Sequence, residues 1–192
     1  LSRGACGASS ERVIETGRLL LRPPTAADRA MLHAMWSDPV VMADLGPVKS
    51  PEDSDATIAR HAAYGVRHGF GFHVVELCED REPIGFCGLK PGAEGTPIQG
   101  EIEIGWSLAR PWWGKGYAFE AASACLDWAW ANTPALRVAA ITAARNLRSQ
   151  ILMERLGMVR QPDDDFFHHL FAPDDPLGQS VVFAINRPGD AA

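Results

Sequence analysis

Alternation of apolar and polar positions is sharpest in EIEIGWSL, Glu101 to Leu108. On an extended chain Glu101, Glu103 and Gly105 fall on one side, and Ile102, Ile104 and Trp106 on the other. GFHVVELCE and EPIGFCGLK are two further extended runs, and the turn residues Asp80 and Arg81 between them make a hairpin. RLLLRPP, Arg18 to Pro24, is a short strand stopped by its prolines, and Arg137–Thr142 and Gln179–Asn186 complete the set.

Between these runs the apolar period becomes helical. Thr25 stands as an N-cap before AADRAMLHAMW, where Ala30, Leu32, Met35 and Trp36 form one stripe. The joint SDPVVMADLGPVKS has room for a helical turn at Val40 to Leu45. Ser50 and Pro51, followed by acidic residues, open a helix that runs to about His68 and stops at Gly69. Another helix runs from about Gly116 to Asn132, and a last one starts near Asn146 and closes with Gly157 as a left-handed cap. The order is that of an α/β (α+β) fold with strands and helices in layers. One domain over residues 15–187 is expected, with residues 1–14 and 188–192 as tails. LSRGACGASS has no initiator Met and no signal-peptide core, so it stays outside the fold argument.

Composition narrows the function classes only a little. The chain has 192 residues, a formal net charge of −6 and a pI near 5.5. That balance argues against nucleic acid or an acidic membrane as the main partner, while leaving room for a local basic pocket. The four cysteines, Cys6, Cys78, Cys87 and Cys125, contain no CxxC pair and no zinc-ligand spacing with the histidines. No metal site is expected; buried reduced thiols in a reducing cytoplasm are. No apolar run approaches the ~18 residues of a membrane span.

The chemistry concentrates where the alternating strand gives way to a helix, in RPWWGKGYAFEA, Arg110 to Ala121. A helix start offers unpaired amides and the positive end of a dipole, which together bind phosphate. Gly114 and Gly116 remove side chains that would block approach, and Lys115 and Arg110 add charge. The same glycines also serve a tight strand-to-helix turn. Neither a Walker loop nor a dinucleotide fingerprint is present.

WGKGYA, Trp113 to Ala118, resembles the [QR]-x-x-G-x-[GA] coenzyme A pyrophosphate loop of the GNAT acetyltransferase superfamily. The likeness is strongest to the branch containing ribosomal-protein N-terminal acetyltransferases, where Trp stands for the usual Gln or Arg. LLLRPPTAADRAML, WSDPVVMADLG, EPIGFCGLK and NLRSQILMERLGM agree in order, so the resemblance covers about Glu15 to Asn186.

The resemblance implies a GNAT acyl-CoA N-acyltransferase fold, with a mostly antiparallel central sheet flanked by helices. It also implies transfer of the acetyl group of acetyl-CoA, as co-substrate, to a primary amine in a ternary complex. The amine would belong to a protein N-terminus or to a small molecule such as a polyamine, amino acid or antibiotic. By carry-over Trp113, Gly114, Lys115, Gly116, Tyr117 and Ala118 hold the pyrophosphate. Trp106, Ser107 and Leu108 pair with the pantetheine arm, and Asn146 contacts it or caps its helix, or both. A backbone amide of that strand polarises the thioester. Glu103 is the candidate base, acting through water, because the attacking amine must lose a proton. Glu101 shares its face and either joins it, binds a cationic substrate, or is a solvated residue. The usual tyrosine acid is missing, and Ser149 takes its place as donor to the thiolate or simply bonds its own backbone. A homodimer is common in that branch.

Other residues carry two readings. Trp112 and Trp113 stack on ligand or pack the core. His168 and His169 are a surface pair or a catalytic element near the substrate mouth. Asp163 to Asp165 are solvated loop or attract a basic amine, and His73 is structural. A non-catalytic acyl-CoA binding module and a nucleotide-binding α/β protein are the rival functions.

Overall fold

All the extended runs enter one sheet. Its strands are β1 (Ile14–Glu15), β2 (Leu19–Arg22), β3 (Phe72–Leu77), β4 (Pro83–Pro91), β5 (Ile102–Leu108), β6 (Arg137–Ala143), β7 (Val159–Arg160), β8 (Phe166–Phe167) and β9 (Gln179–Asn186). The computed structural model describes residues 13–189. Most of the expected tails, and Cys6 with them, lie outside the described residues.

The sheet order is β1-β2-β3-β4-β5-β6-β9-β7, with β8 also paired to β9. Every neighbouring pair is antiparallel except β5 and β6. That parallel pair needs a crossover, supplied by α4 (Tyr117–Asn132). The two-residue strands β1, β7 and β8 escape the sequence pattern because they are too short to show a period.

Helices cover both faces of the sheet. On one side α4 lays Ala121, Ala122, Cys125, Leu126 and Ala129 against Ile84, Cys87, Leu89 and Ile104. Its small residues bring the helix backbone close to the strands. On the other side α1 (Arg29–Ser37), α2 (Pro39–Met42) and α3 (Pro51–His68) pack on Val74 and Phe86. Leu32, Met35 and Trp36 are buried as the stripe requires, whereas Ala30 is exposed. Ala26–Asp28 form a short 3-10 turn behind Thr25, and the α-helix proper starts at Arg29. At 100° per residue Ala30 lies across the helix from Leu32, Met35 and Trp36, so it falls on the outer face.

Local signals fix the helix ends. Ser50 accepts from the Asp53 amide and Asp53 answers to the Ser50 amide, a capping box with Pro51 in the first position. Gly69, at φ 80°, ends α3. Arg187 donates to the carbonyls of Trp130, Thr133 and Ala135, tying the end of α4 to the edge of β9. Cys87 and Cys125 are buried with sulfurs 4.0 Å apart, but Cys78 is exposed, which corrects the expectation of uniformly buried thiols. It follows β3 directly, beyond the shelter of the helices.

His61 on α3 is the least comfortable core residue. It is 5% exposed, its ring lies 4.3 Å from that of Phe72, and its Nδ1 has no hydrogen-bond partner. Burial, helped by Arg60, Lys90 and Lys49, pushes its pKa down from 6.5 to about 3. Protonation therefore favours the unfolded chain. The contribution of neutral His61 is complete above pH 6.5 and fades as pH falls toward 3. Between pH 7 and pH 5 the loss should be about 2 kcal/mol. In urea titrations at the two pH values, His61→Phe is expected to lose that much less stability than wild type, and an equal loss would refute the assignment.

Candidate functional site

The strand-to-helix loop is shaped by two left-handed glycines. Gly114 has φ 74° and Gly116, the N-cap of α4, has φ 83°. A side chain is disfavoured at both on backbone grounds. A Cβ at Gly114 would meet no atom within 4 Å, so the loop surface there is open as well as tightly turned. The tight-turn reading therefore holds, and the backbone there is open to approach. The first bond inside α4 runs from the Glu120 amide to the Gly116 carbonyl at 3.1 Å. Tyr117, Ala118 and Phe119 thus present amides with no intrahelical acceptor. Trp113 differs: its amide is spent on the Arg110 carbonyl at 3.2 Å.

Cations crowd this helix start in a chain that is acidic overall. Arg18 donates to the Lys115 carbonyl at 3.2 Å, lies over the Tyr117 ring and pairs with Glu120. The Lys115 ammonium sits 4.3 Å from the Trp112 ring centre, and the Arg148 guanidinium 4.8 Å from that of Trp113. Trp112 and Trp113 also pack against the core. The Trp113 indole donates to the Leu108 carbonyl at 2.7 Å, locking the loop to the end of β5.

Beside the loop the sheet opens. β5 pairs with β4 along its whole length, from Ile102↔Pro91 to Leu108↔Gly85. β6 pairs with β5 only at Ile102↔Val138 and Glu103↔Ala139. Past Glu103 the two strands part, so the segment holding Trp106, Ser107 and Leu108 has no β6 partner. Across the gap, Asn146 caps α5 (Leu147–Arg155): its Oδ1 accepts from the Ser149 amide at 3.2 Å and its Nδ2 donates to Thr142 Oγ1 at 2.9 Å. Asn146 is 5% exposed, so the cap reading holds.

Glu103 stands where the strands separate, at the edge of a cleft of about 220 Å³. It is 8% exposed despite lying on the polar side of its strand. Lys90, directly across on β4, donates to its Oε2. Burial raises the carboxyl pKa above its ordinary value, and the Lys90 ammonium opposes that rise. A carboxylate held partly uphill in this way suits proton acceptance.

The cleft also holds Asp44, Thr142, His168 and Phe171. His168 was only one of two readings on the sequence; here it faces the same space as Glu103. Its Nδ1 accepts from the Leu170 amide at 3.3 Å, which leaves the neutral ring's proton on Nε2. Burial, then His169 and Lys90, lowers its pKa. Lys90 and Phe171 were missed by sequence reasoning. Only the β4–β5 register identifies Lys90, and Phe171 lies in a loop without pattern. Glu101 is turned to Arg137 at 2.5 Å, and Asp164 and Asp165 pair with Arg137 and Arg160. These are structural ion pairs. Ser149 is half-buried on α5 and is not among the residues lining the cleft. Among the described residues no His, Cys, Asp or Glu group is positioned to hold a metal, and no helix is long and apolar enough to cross a membrane.

Comparison with known proteins places this geometry. The Acetyltransferase (GNAT) domain profile matches residues 18–159. The uncharacterized protein YkkB of Bacillus subtilis is 31% identical over 144 residues, covering 74% of this chain and 83% of that one. The crystal structure of an acetyltransferase from Agrobacterium tumefaciens is 27% identical with a TM-score of 0.77, covering 92% of this chain and 95% of that one. RimL, the ribosomal L7/L12 alpha-N-protein acetyltransferase solved with coenzyme A, gives a TM-score of 0.74 at 15% identity, covering 91% and 98%. At that identity the likeness to RimL is one of fold.

The Gly116 conformation makes a direct claim on stability. An alanine there would find its nearest neighbour, Arg18 Nη2, at an ordinary 3.5 Å, so only the φ of 83° penalises it. Gly116→Ala is expected to cost about 1–2 kcal/mol, read as a lower urea midpoint with unchanged slope. An unchanged midpoint would show that the turn does not require glycine.

Proposed function

The chain belongs to the GNAT acetyltransferase family, and from that premise we propose that it is an acetyl-CoA-dependent N-acetyltransferase. The observation that carries this reading is the parting of β5 from β6 beside a helix start with open amides. An extended thiol-ester arm fits along such an unpaired strand edge, and a diphosphate fits such a helix start. When bound, acetyl-CoA supplies the activated acetyl group.

In this reading the amides of Gly114, Lys115, Gly116, Tyr117 and Ala118 hold the pyrophosphate, with Lys115 adding charge. Trp113 contributes as a brace, because its amide and its indole are both engaged. The free edge at Trp106, Ser107 and Leu108 aligns the pantetheine arm, and a strand amide steadies charge on the thioester oxygen. Asn146 acts by capping α5 at the far wall of the gap. Glu103 takes the proton of the attacking amine, directly or through water. Lys90 holds Oε2 and so orients the carboxylate, leaving Oε1 for that task. The amine nitrogen bonds to the carbonyl carbon, the carbon–sulfur bond breaks, and Ser149 or water returns a proton to the thiolate.

Two variants separate binding from chemistry. Gly116→Glu places a carboxylate against the phosphates and is expected to abolish coenzyme A binding by calorimetry. Glu103→Gln should leave that affinity within about twofold and lower kcat by about 100-fold, the usual scale for a general base. In wild type, kcat/KM should rise with pH through a limb lying above the ordinary carboxylate range, because burial raises Glu103. Glu103→Gln should erase that limb. Wild-type turnover in this variant would remove Glu103 from the mechanism, and a coenzyme that binds without any acetyl transfer to amines would sink the enzymatic reading.

A further inference from the structure

The charges that line the cleft are already matched. Glu103 is paired with Lys90 across β4 and β5. Asp44, also in the lining, is held by Arg145 at 2.8 Å. His168 takes the Leu170 amide on Nδ1 and presents Nε2 to the cleft as a donor. Of the acidic run that leads toward His168, Asp164 and Asp165 are committed to Arg137 and Arg160, and no Asp of that run lines the cleft. The remaining wall mixes hydrocarbon from Leu45, Ile141, Phe171 and Leu177 with the uncharged Thr142 and Ser180. The space, about 220 Å³, equals roughly seven water molecules.

These facts set what can enter. One amino group finds Glu103 Oε1 and becomes the nucleophile. A second ammonium held inside the cleft would meet hydrocarbon or uncharged hydroxyls, or would compete for a carboxylate already paired. Either outcome leaves a charge partly desolvated without a full carboxylate partner, which disfavours it. A short apolar body, in contrast, gains by covering Phe171 and Leu177.

We propose that the acceptor is a small-molecule monoamine, one amino group on a compact aliphatic or aromatic body, and not a polyamine or polycationic antibiotic. This rests on the acetyltransferase reading above. Arg145 is the control point, because it neutralises the one other carboxylate that reaches the cleft. It is half-exposed at the surface, so its removal leaves the core intact.

The purified chain would be supplied with acetyl-CoA and, in turn, phenethylamine, isoamylamine, spermidine, an aminoglycoside and a peptide with an apolar N-terminal residue. Thiol release and product mass are read. The monoamines should exceed spermidine and the aminoglycoside in kcat/KM by at least tenfold. In Arg145→Ala the ratio of spermidine to phenethylamine should rise by about tenfold, because Asp44 is freed to hold a second ammonium. A preference for spermidine or the aminoglycoside, acetylation of the peptide without the monoamines, or an unchanged ratio in Arg145→Ala would each overturn the proposal while leaving an active acetyltransferase. Should coenzyme A bind while no amine is acetylated, the enzymatic reading fails. Titration of the coenzyme-loaded protein with phenethylamine then decides the proposal: saturable binding stronger than that of spermidine supports it, and equal or weaker binding overturns it.

Discussion

The site depends on a parallel pair that is made and then abandoned. β5 and β6 exchange ladder bonds at Ile102 and Glu103 and nowhere beyond, although each strand continues. Two pressures keep the gap open. β5 is held on its other edge by β4 through seven register positions, so it cannot swing toward β6. β6 is likewise fixed by β9 over its whole length. Unpaired backbone along an otherwise buried strand is costly unless water or a ligand satisfies it. The fold therefore contains a strand edge that asks for a partner, and the glycine loop stands at its far end.

Electrostatics around that opening are divided by location. At the helix start Lys115, Arg18 and Arg148 are stacked on rings or bonded to carbonyls, so cations accumulate without a full set of carboxylate partners. In the cleft each lining carboxylate has a basic neighbour. In the reading proposed above, this division suits an anionic coenzyme at one mouth and a sparingly charged acceptor at the other. Lys90 links the two ideas, since its ammonium both steadies a buried carboxylate and opposes the entry of further positive charge.

How much of this was readable along the chain follows from the range of each interaction. Ser50 with Pro51, Asn146, Gly69 and Gly157 are local devices that act within a turn, and each is found where its residue type predicts. The alternation in EIEIGWSL placed β5 and put Glu103 on the face that meets the cleft. Ala30 missed its stripe because, within the same helix, it lies across from Leu32, Met35 and Trp36. The strands of two residues had no period to detect.

The sequence by itself determined the elements, their caps, the glycine-rich helix start and the family, because these rest on contacts a few residues apart or on ordered motifs. Only the tertiary structure decided that Glu103 faces Lys90 and shares a cleft with His168, that Glu101 belongs to Arg137, and that Asp164 and Asp165 pair with Arg137 and Arg160. Those pairings join residues 13, 65, 36 and more positions apart, as in Lys90–Glu103, Glu103–His168 and Glu101–Arg137. Strand register and loop packing set them, and side-chain identity along the chain carries no record of which partner a charge will meet.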